Sequence, residues 1–154
     1  MNGNMTAAVK NHLKEFQVVA EIPVAWADMD VFRHVNNTVF FRYFETARIK
    51  YLERIGFTDD LGMYEGAGPI LHSTHCRFRR PVVFPDTVWT GARSVKLHSD
   101  RFVMEYRVVS EKLGEVAAEG GGVVVAFDYH ARSKTTLPRS VSARIEEIDG
   151  HSFG

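Results

Sequence analysis

Two acids, a histidine and two asparagines fall within one short stretch, Asp28-Met29-Asp30-Val31-Phe32-Arg33-His34-Val35-Asn36-Asn37. A strand-like apolar run ending at Trp26 delivers the acids into a turn, and the asparagines open a very apolar helix. A carboxylate is thereby set beside a helix N-terminus, where unpaired N–H groups and the positive end of the dipole can hold a developing oxyanion. Cleavage of an ester or thioester needs that pairing of acid and oxyanion hole. Asp30 is the candidate acid, attacking a carbonyl or activating the water that does, set against a plain turn-capping role. Asp28 fits better as a residue that hydrogen-bonds backbone amides and shapes the turn. His34 reads equally as a loop-holding histidine and as a catalytic or substrate-positioning group. Asn36 and Asn37 suit helix capping, which is compatible with an oxyanion hole because the donor there is a backbone N–H. Glu45 and Arg48, at i and i+3, favour an ion pair that orients the helix.

The elements that must position these groups follow from periodicity. Residues 16–26 read as a strand, with Pro23 marking an edge or a bulge. A helix runs from Asn37 to about Ile55, where Phe40, Phe44, Ala47, Tyr51 and Ile55 form a stripe that Phe41 and Leu52 widen, and Gly56 stops it. A helix so apolar is enclosed by a sheet rather than laid on a surface. Residues 58–69 read as a loop, then 70–78, 88–97, 102–109 and 115–129 as strands joined by turns at Pro85-Asp86, Ser99-Asp100 and Lys112-Leu113-Gly114. Gly120-Gly121-Gly122 in the last strand implies a bulge or close packing against another backbone. A C-terminal helix after Leu137-Pro138 shows Val141, Ile145 and Ile148 on one face, and residues 1–15 read as polar and frayed. The order gives an α+β domain, one curved antiparallel sheet wrapped around a central helix, whose remaining face is free to pair with a second copy.

Composition narrows the classes. The 154 residues fit one domain, 45% hydrophobic and 25% charged, which is globular rather than disordered. Lys+Arg and Asp+Glu are both 19, so no bulk charge favours nucleic acid or an anionic membrane. Cys76 is the only cysteine, a core residue by its apolar surroundings, so neither an intrachain disulfide nor a cysteine metal site is expected. The seven histidines lack metal-binding spacing, and no cofactor is expected. With no apolar run of membrane-spanning length and no signal-like start, a cytoplasmic protein is expected.

Asp28-x-Asp30, His34-Val35-Asn36-Asn37 and Glu45-x-x-Arg48 resemble the hotdog-fold thioesterases, specifically acyl-CoA hydrolases of the 4-hydroxybenzoyl-CoA thioesterase type. The resemblance covers residues 16–138, and Gly68-Pro69-Ile70-Leu71, Phe78-Arg79-Arg80-Pro81 and Pro85-Asp86-Thr87-Val88 extend it in order. It implies a hotdog fold across the single domain 1–154 and hydrolysis of acyl-CoA without metal or cofactor. It further implies Asp30 as nucleophile or general base, the backbone N–H of Asn37 as oxyanion donor, and a pocket between the subunits of a dimer or tetramer. Plant acyl-carrier-protein thioesterases share the Asp and the His-Val-Asn-Asn run, with His34 matching their motif histidine. An asparagine that they place between Asp and His is Phe32 here, which disfavours that class. On this reading Gly68 and Pro69 line the acyl pocket or form a loop hinge. Arg79 and Arg80, with Arg77, Arg132 and Lys134, are candidates for the coenzyme A phosphates. The alternatives are a thioesterase acting on protein-carried acyl groups and a non-catalytic acyl-CoA-binding module. The aromatic helix and Trp89 suit aliphatic or aromatic acyl groups alike.

Overall fold

A computed structural model describes residues 4–58, 66–150 and 153. In chain order the elements are α1 (Ala7–His12), β1 (Val18–Pro23), α2 (Asn37–Arg54), β2 (Ala67–Phe78), β3 (Thr87–Leu97), β4 (Arg101–Ser110), β5 (Glu115–Asp128), β6 (Ser133–Lys134) and α3 (Arg139–Asp149). The strands form one antiparallel sheet in the order β1-β3-β4-β5-β2, with β6 pairing the end of β5. β1 and β2 are its edges, where Pro23 and Pro69 withhold no N–H from an inner ladder.

α2 lies against β1 and β3 and reaches β4 and β2, burying Val39, Phe40, Tyr43, Phe44, Ala47, Tyr51 and Leu52. It ends as its sequence requires: Gly56 adopts φ +70°, and the Phe57 N–H returns to the Leu52 carbonyl at 2.9 Å. The glycine run is explained within the sheet. A Cβ on Gly121 would run into the Met104 carbonyl, and one on Gly120 would meet the His75 carbonyl and, at 2.7 Å, the Phe44 ring. Phe44 stacks on Tyr106, centroids 4.8 Å apart, so Gly120 lets Phe44 of the helix settle onto the sheet. The register breaks lie elsewhere, at Leu71/Ser73, Ser94/Lys96 and Val108/Val109.

Three expectations are corrected. Residues 4–16 are not frayed: Thr6 caps α1, and Met5, Val9, Leu13 and Phe16 pack with Trp89 and Val109 in a second core on the opposite face of the sheet. Arg93 and Arg107 both hold their guanidinium carbons 5.1 Å from the Phe16 ring centroid. Next, β2 begins at Ala67, so Gly68 and Pro69 lie inside a strand rather than at a loop junction; residues 59–65 of the expected loop fall outside the described residues. Last, Glu45 and Arg48 form no ion pair among the described residues, because Arg48 turns under the helix to donate to the Tyr106 hydroxyl at 3.4 Å.

α3 is tied to the core by a buried polar contact. The Tyr51 hydroxyl donates to Asp149 at 2.8 Å and lies 2.6 Å from the Ser94 hydroxyl, while the Ser94 N–H donates to the same Asp149 oxygen at 3.0 Å. Burial pushes the Tyr51 hydroxyl above its ordinary pKa. Among the described residues no helix is long and apolar enough to cross a membrane.

Candidate active site

The loop between β1 and α2 is built by its own short polar side chains. Trp26–Asp28 makes one 3-10 turn, closed by the Asp28 carboxylate accepting the Ala25 N–H at 3.1 Å. Met29 and Val35 form an antiparallel bridge, and Arg33, at φ +66°, turns the chain between them. Within this turn the Asp30 N–H donates to the His34 carbonyl at 3.1 Å, and the Arg33 N–H to the Asp30 carbonyl at 2.9 Å. The half-buried Asp30 carboxylate is held at both oxygens: Oδ1 accepts the Phe32 N–H at 2.9 Å and Oδ2 the Asn36 side-chain amide at 3.1 Å.

Asn36 is the N-cap of α2 and Asn37 its first helical residue. Asn36 Oδ1 takes the Thr38 N–H at 2.8 Å, and the Asn36 carbonyl takes the Val39 N–H at 3.0 Å. The Asn37 N–H is left with no acceptor among the described residues, exposed at the positive end of an 18-residue helix. Carboxylate and open N–H thus stand at the two ends of one loop, bridged by Asn36.

Residues of this loop line two hollows. Asp30 lines one of about 560 Å³ with Trp26, Met29, Val31, Val83 and Phe84. Its rim is apolar and open: Trp26, whose ring meets Phe84 edge-on, is 72% exposed and Val31 88%. His34 and Asn37 line the other, about 210 Å³, with Phe40, Phe78, Arg79, Arg80 and Pro81. The His34 ring stacks on Phe32 and places Nδ1 3.4 Å from the Val35 carbonyl. Arg79 and Arg80 reach the groove while already paired, with Glu119 at 2.7 Å and Glu115 at 3.1 Å. The arrangement offers a fixed carboxylate, one open backbone N–H at a helix start, an apolar hollow and a basic-walled groove.

His34, Asn37, Arg79 and Arg80 therefore share one hollow, and Asp30 lines the other, tied to the start of α2 through Asn36. Gly68 and Pro69 line neither: they pair with Phe127 and Ala126 at the far end of β2, roughly 35 Å along the strand from Arg79. Trp89 lies in the second core, with its Nε1 on Glu111, and faces neither hollow. Cys76 sits on β2, its thiol pushed up to about 11 by burial. Asn36 is the residue whose role sequence reasoning took only as a cap. Its six-residue offset from Asp30 is visible in the chain, but the contact depends on the Met29–Val35 bridge that folds one onto the other.

Comparisons with known proteins agree with this fold. The thioesterase-like superfamily matches residues 24–145. Long-chain acyl-CoA thioesterase FadM of Escherichia coli K12 is 22% identical over 128 residues, covering 83% of this chain and 96% of the relative. The PA2801 protein of Pseudomonas aeruginosa superposes with a TM-score of 0.76 at 32% identity, over 84% of this chain and 98% of that one. A thioesterase of Thermus thermophilus, solved with coenzyme A and zinc, gives a TM-score of 0.76 at 32% identity, over 89% and 98%. A helix enclosed by a curled antiparallel sheet is the architecture this chain shares with these neighbours. The chain belongs to the thioesterase-like superfamily and is a thioester hydrolase of the hotdog fold.

Proposed function

We propose that the chain hydrolyses an acyl-CoA thioester to a free carboxylic acid and coenzyme A. The observation that carries this is the unclaimed Asn37 N–H, one hydrogen-bonded loop away from a carboxylate fixed at both oxygens. The thioester carbonyl accepts the Asn37 N–H, which with the helix dipole stabilises the negative charge of the tetrahedral state. Asp30 either attacks the carbonyl carbon, expelling the coenzyme A thiolate and leaving an anhydride for water to open, or takes the proton of the attacking water. Charge orients the substrate: the acyl group lies in the apolar hollow beside Val31 and Phe84, and the coenzyme leaves past Arg79 and Arg80. FadM's name and the coenzyme A bound by the Thermus thermophilus enzyme support this substrate class.

The working unit is a dimer or tetramer of single-domain chains. β2 presents a 12-residue edge whose outer side no strand pairs among the described residues, and Leu71 to His75 are exposed along it. Antiparallel pairing of two such edges sets the Gly68 end of one copy beside the Arg79 end of the other, completing one pocket from two chains. One free cysteine and no disulfide fit a cytoplasmic setting. Free-thiol release from a panel of acyl-CoA esters, with light scattering at micromolar protein, tests both parts. Turnover of at least one ester by a dimer or tetramer is expected; an active, stable monomer overturns the shared pocket.

A further inference from the structure

We infer that Asn36 is a positioning residue, the side chain that fixes Asp30 against the oxyanion donor, and not merely a helix cap. The inference rests on the thioesterase reading of the site. The orientation of the Asn36 amide is determined by its partners. Oδ1 accepts the Thr38 N–H at 2.8 Å and the Thr38 hydroxyl at 2.7 Å, so the NH₂ end must face Asp30, whose Oδ2 it meets at 3.1 Å. The Asn36 N–H donates to the Asp28 carbonyl at 2.9 Å, so the residue is tied at backbone and side chain alike.

The choice of residue type carries the argument. Serine, threonine and aspartate cap a helix about as well as asparagine. Serine and threonine lack the reach and the amide to meet Asp30, and aspartate would set a second carboxylate against the first. Only asparagine supplies the cap oxygen and the donor together. With the Phe32 N–H alone, at 2.9 Å on Oδ1, the Asp30 carboxylate would keep one bond and turn about it. With Asn36 in place, both oxygens are held and each still has a free lone pair. Asn37 follows directly in the chain, so acid and oxyanion donor are set as one unit by the residue between them.

The test is a double-mutant cycle on kcat with an acyl-CoA substrate, run at full length alongside melting curves. Wild-type turnover, and its loss in Asp30→Asn, first establish the underlying reading on their own. Asn36→Ser keeps the cap, so its Tm should stay close to wild type while kcat falls roughly ten- to a hundredfold and KM moves less than about threefold. Asn36→Asp, which keeps the cap oxygen, should lose at least as much and serves if the serine variant folds poorly. On the Asp30→Asn background, with rates read as single turnovers, Asn36→Ser should cost less than about threefold, since it acts through Asp30. Equal losses on both backgrounds, a loss confined to KM, or near wild-type kcat in a folded Asn36→Ser enzyme would each overturn the inference.

Discussion

Replacing Asn37 by proline deletes one atom group from the proposed site, and the structure indicates that little else should change. Proline needs a helical φ near −65°, no N–H acceptor to lose, and an extended residue before it. Asn37 is the first residue of α2, its N–H has no acceptor among the described residues, and Asn36 stands at φ −61°, ψ 140°. That is the position in a helix where proline is favoured, so folding should survive. No neighbouring donor can take over, because the Thr38 and Val39 N–H groups are already held by Asn36. Loss of a single oxyanion donor is worth about 10²- to 10³-fold in kcat, so Asn37→Pro should fall by that factor. Asn37→Ser keeps the N–H and changes only an exposed side chain, and should stay within about threefold of wild type. The assay is kcat for thiol release by both variants, with circular dichroism and size measured in parallel. Equal activity in two folded variants would refute the role of this N–H and move the carbonyl elsewhere, with the Gly68 N–H the next group to examine.

Gly120→Ala should cost about 3 kcal/mol, a fall in Tm of roughly 6–12 °C, because its Cβ meets the His75 carbonyl and the Phe44 ring together. Gly56→Ala, with open space but φ +70°, should cost only about 1 kcal/mol in the same calorimetric comparison. Tyr51→Phe leaves the buried Asp149 with the Ser94 N–H alone and should lower Tm by roughly 4–8 °C, about 2 kcal/mol; an unchanged Tm would mean that α3 is held by its apolar face only.

What the sequence disclosed was whatever depends on neighbours in the chain. The stripe of α2, its stop at Gly56 and the edge character of β1 at Pro23 are local signals, and so is the turn that carries Asp30 to a helix start. What it concealed depends on segments far apart. The spacing of Met5, Val9, Leu13 and Phe16 by 4, 4 and 3 was present, but its meaning lies in Trp89 and Val109, which cover the other side of that small core. Trp89 itself was misjudged because β3 is buried on both faces beneath α1 and α2, so alternation along it marks no single inside. The Glu45–Arg48 spacing allowed an ion pair, yet Arg48 faces Tyr106 across the core. Gly68 and Arg79 are opposite ends of one strand, and only pairing of two chains would make them neighbours.

The central claim is that Asp30 performs the chemistry. Asp30→Asn keeps the size of the side chain and the oxygen that accepts the Phe32 N–H, and it removes the charge and the acceptor for the Asn36 amide, so circular dichroism run in parallel checks that the loop keeps its shape. Thiol release from an acyl-CoA ester, measured for wild type and Asp30→Asn side by side with binding of a non-hydrolysable acyl-CoA, is the direct test. A kcat lower by roughly a hundredfold or more with binding retained is expected; an Asn variant that turns over at near wild-type rate would rule out this role for Asp30.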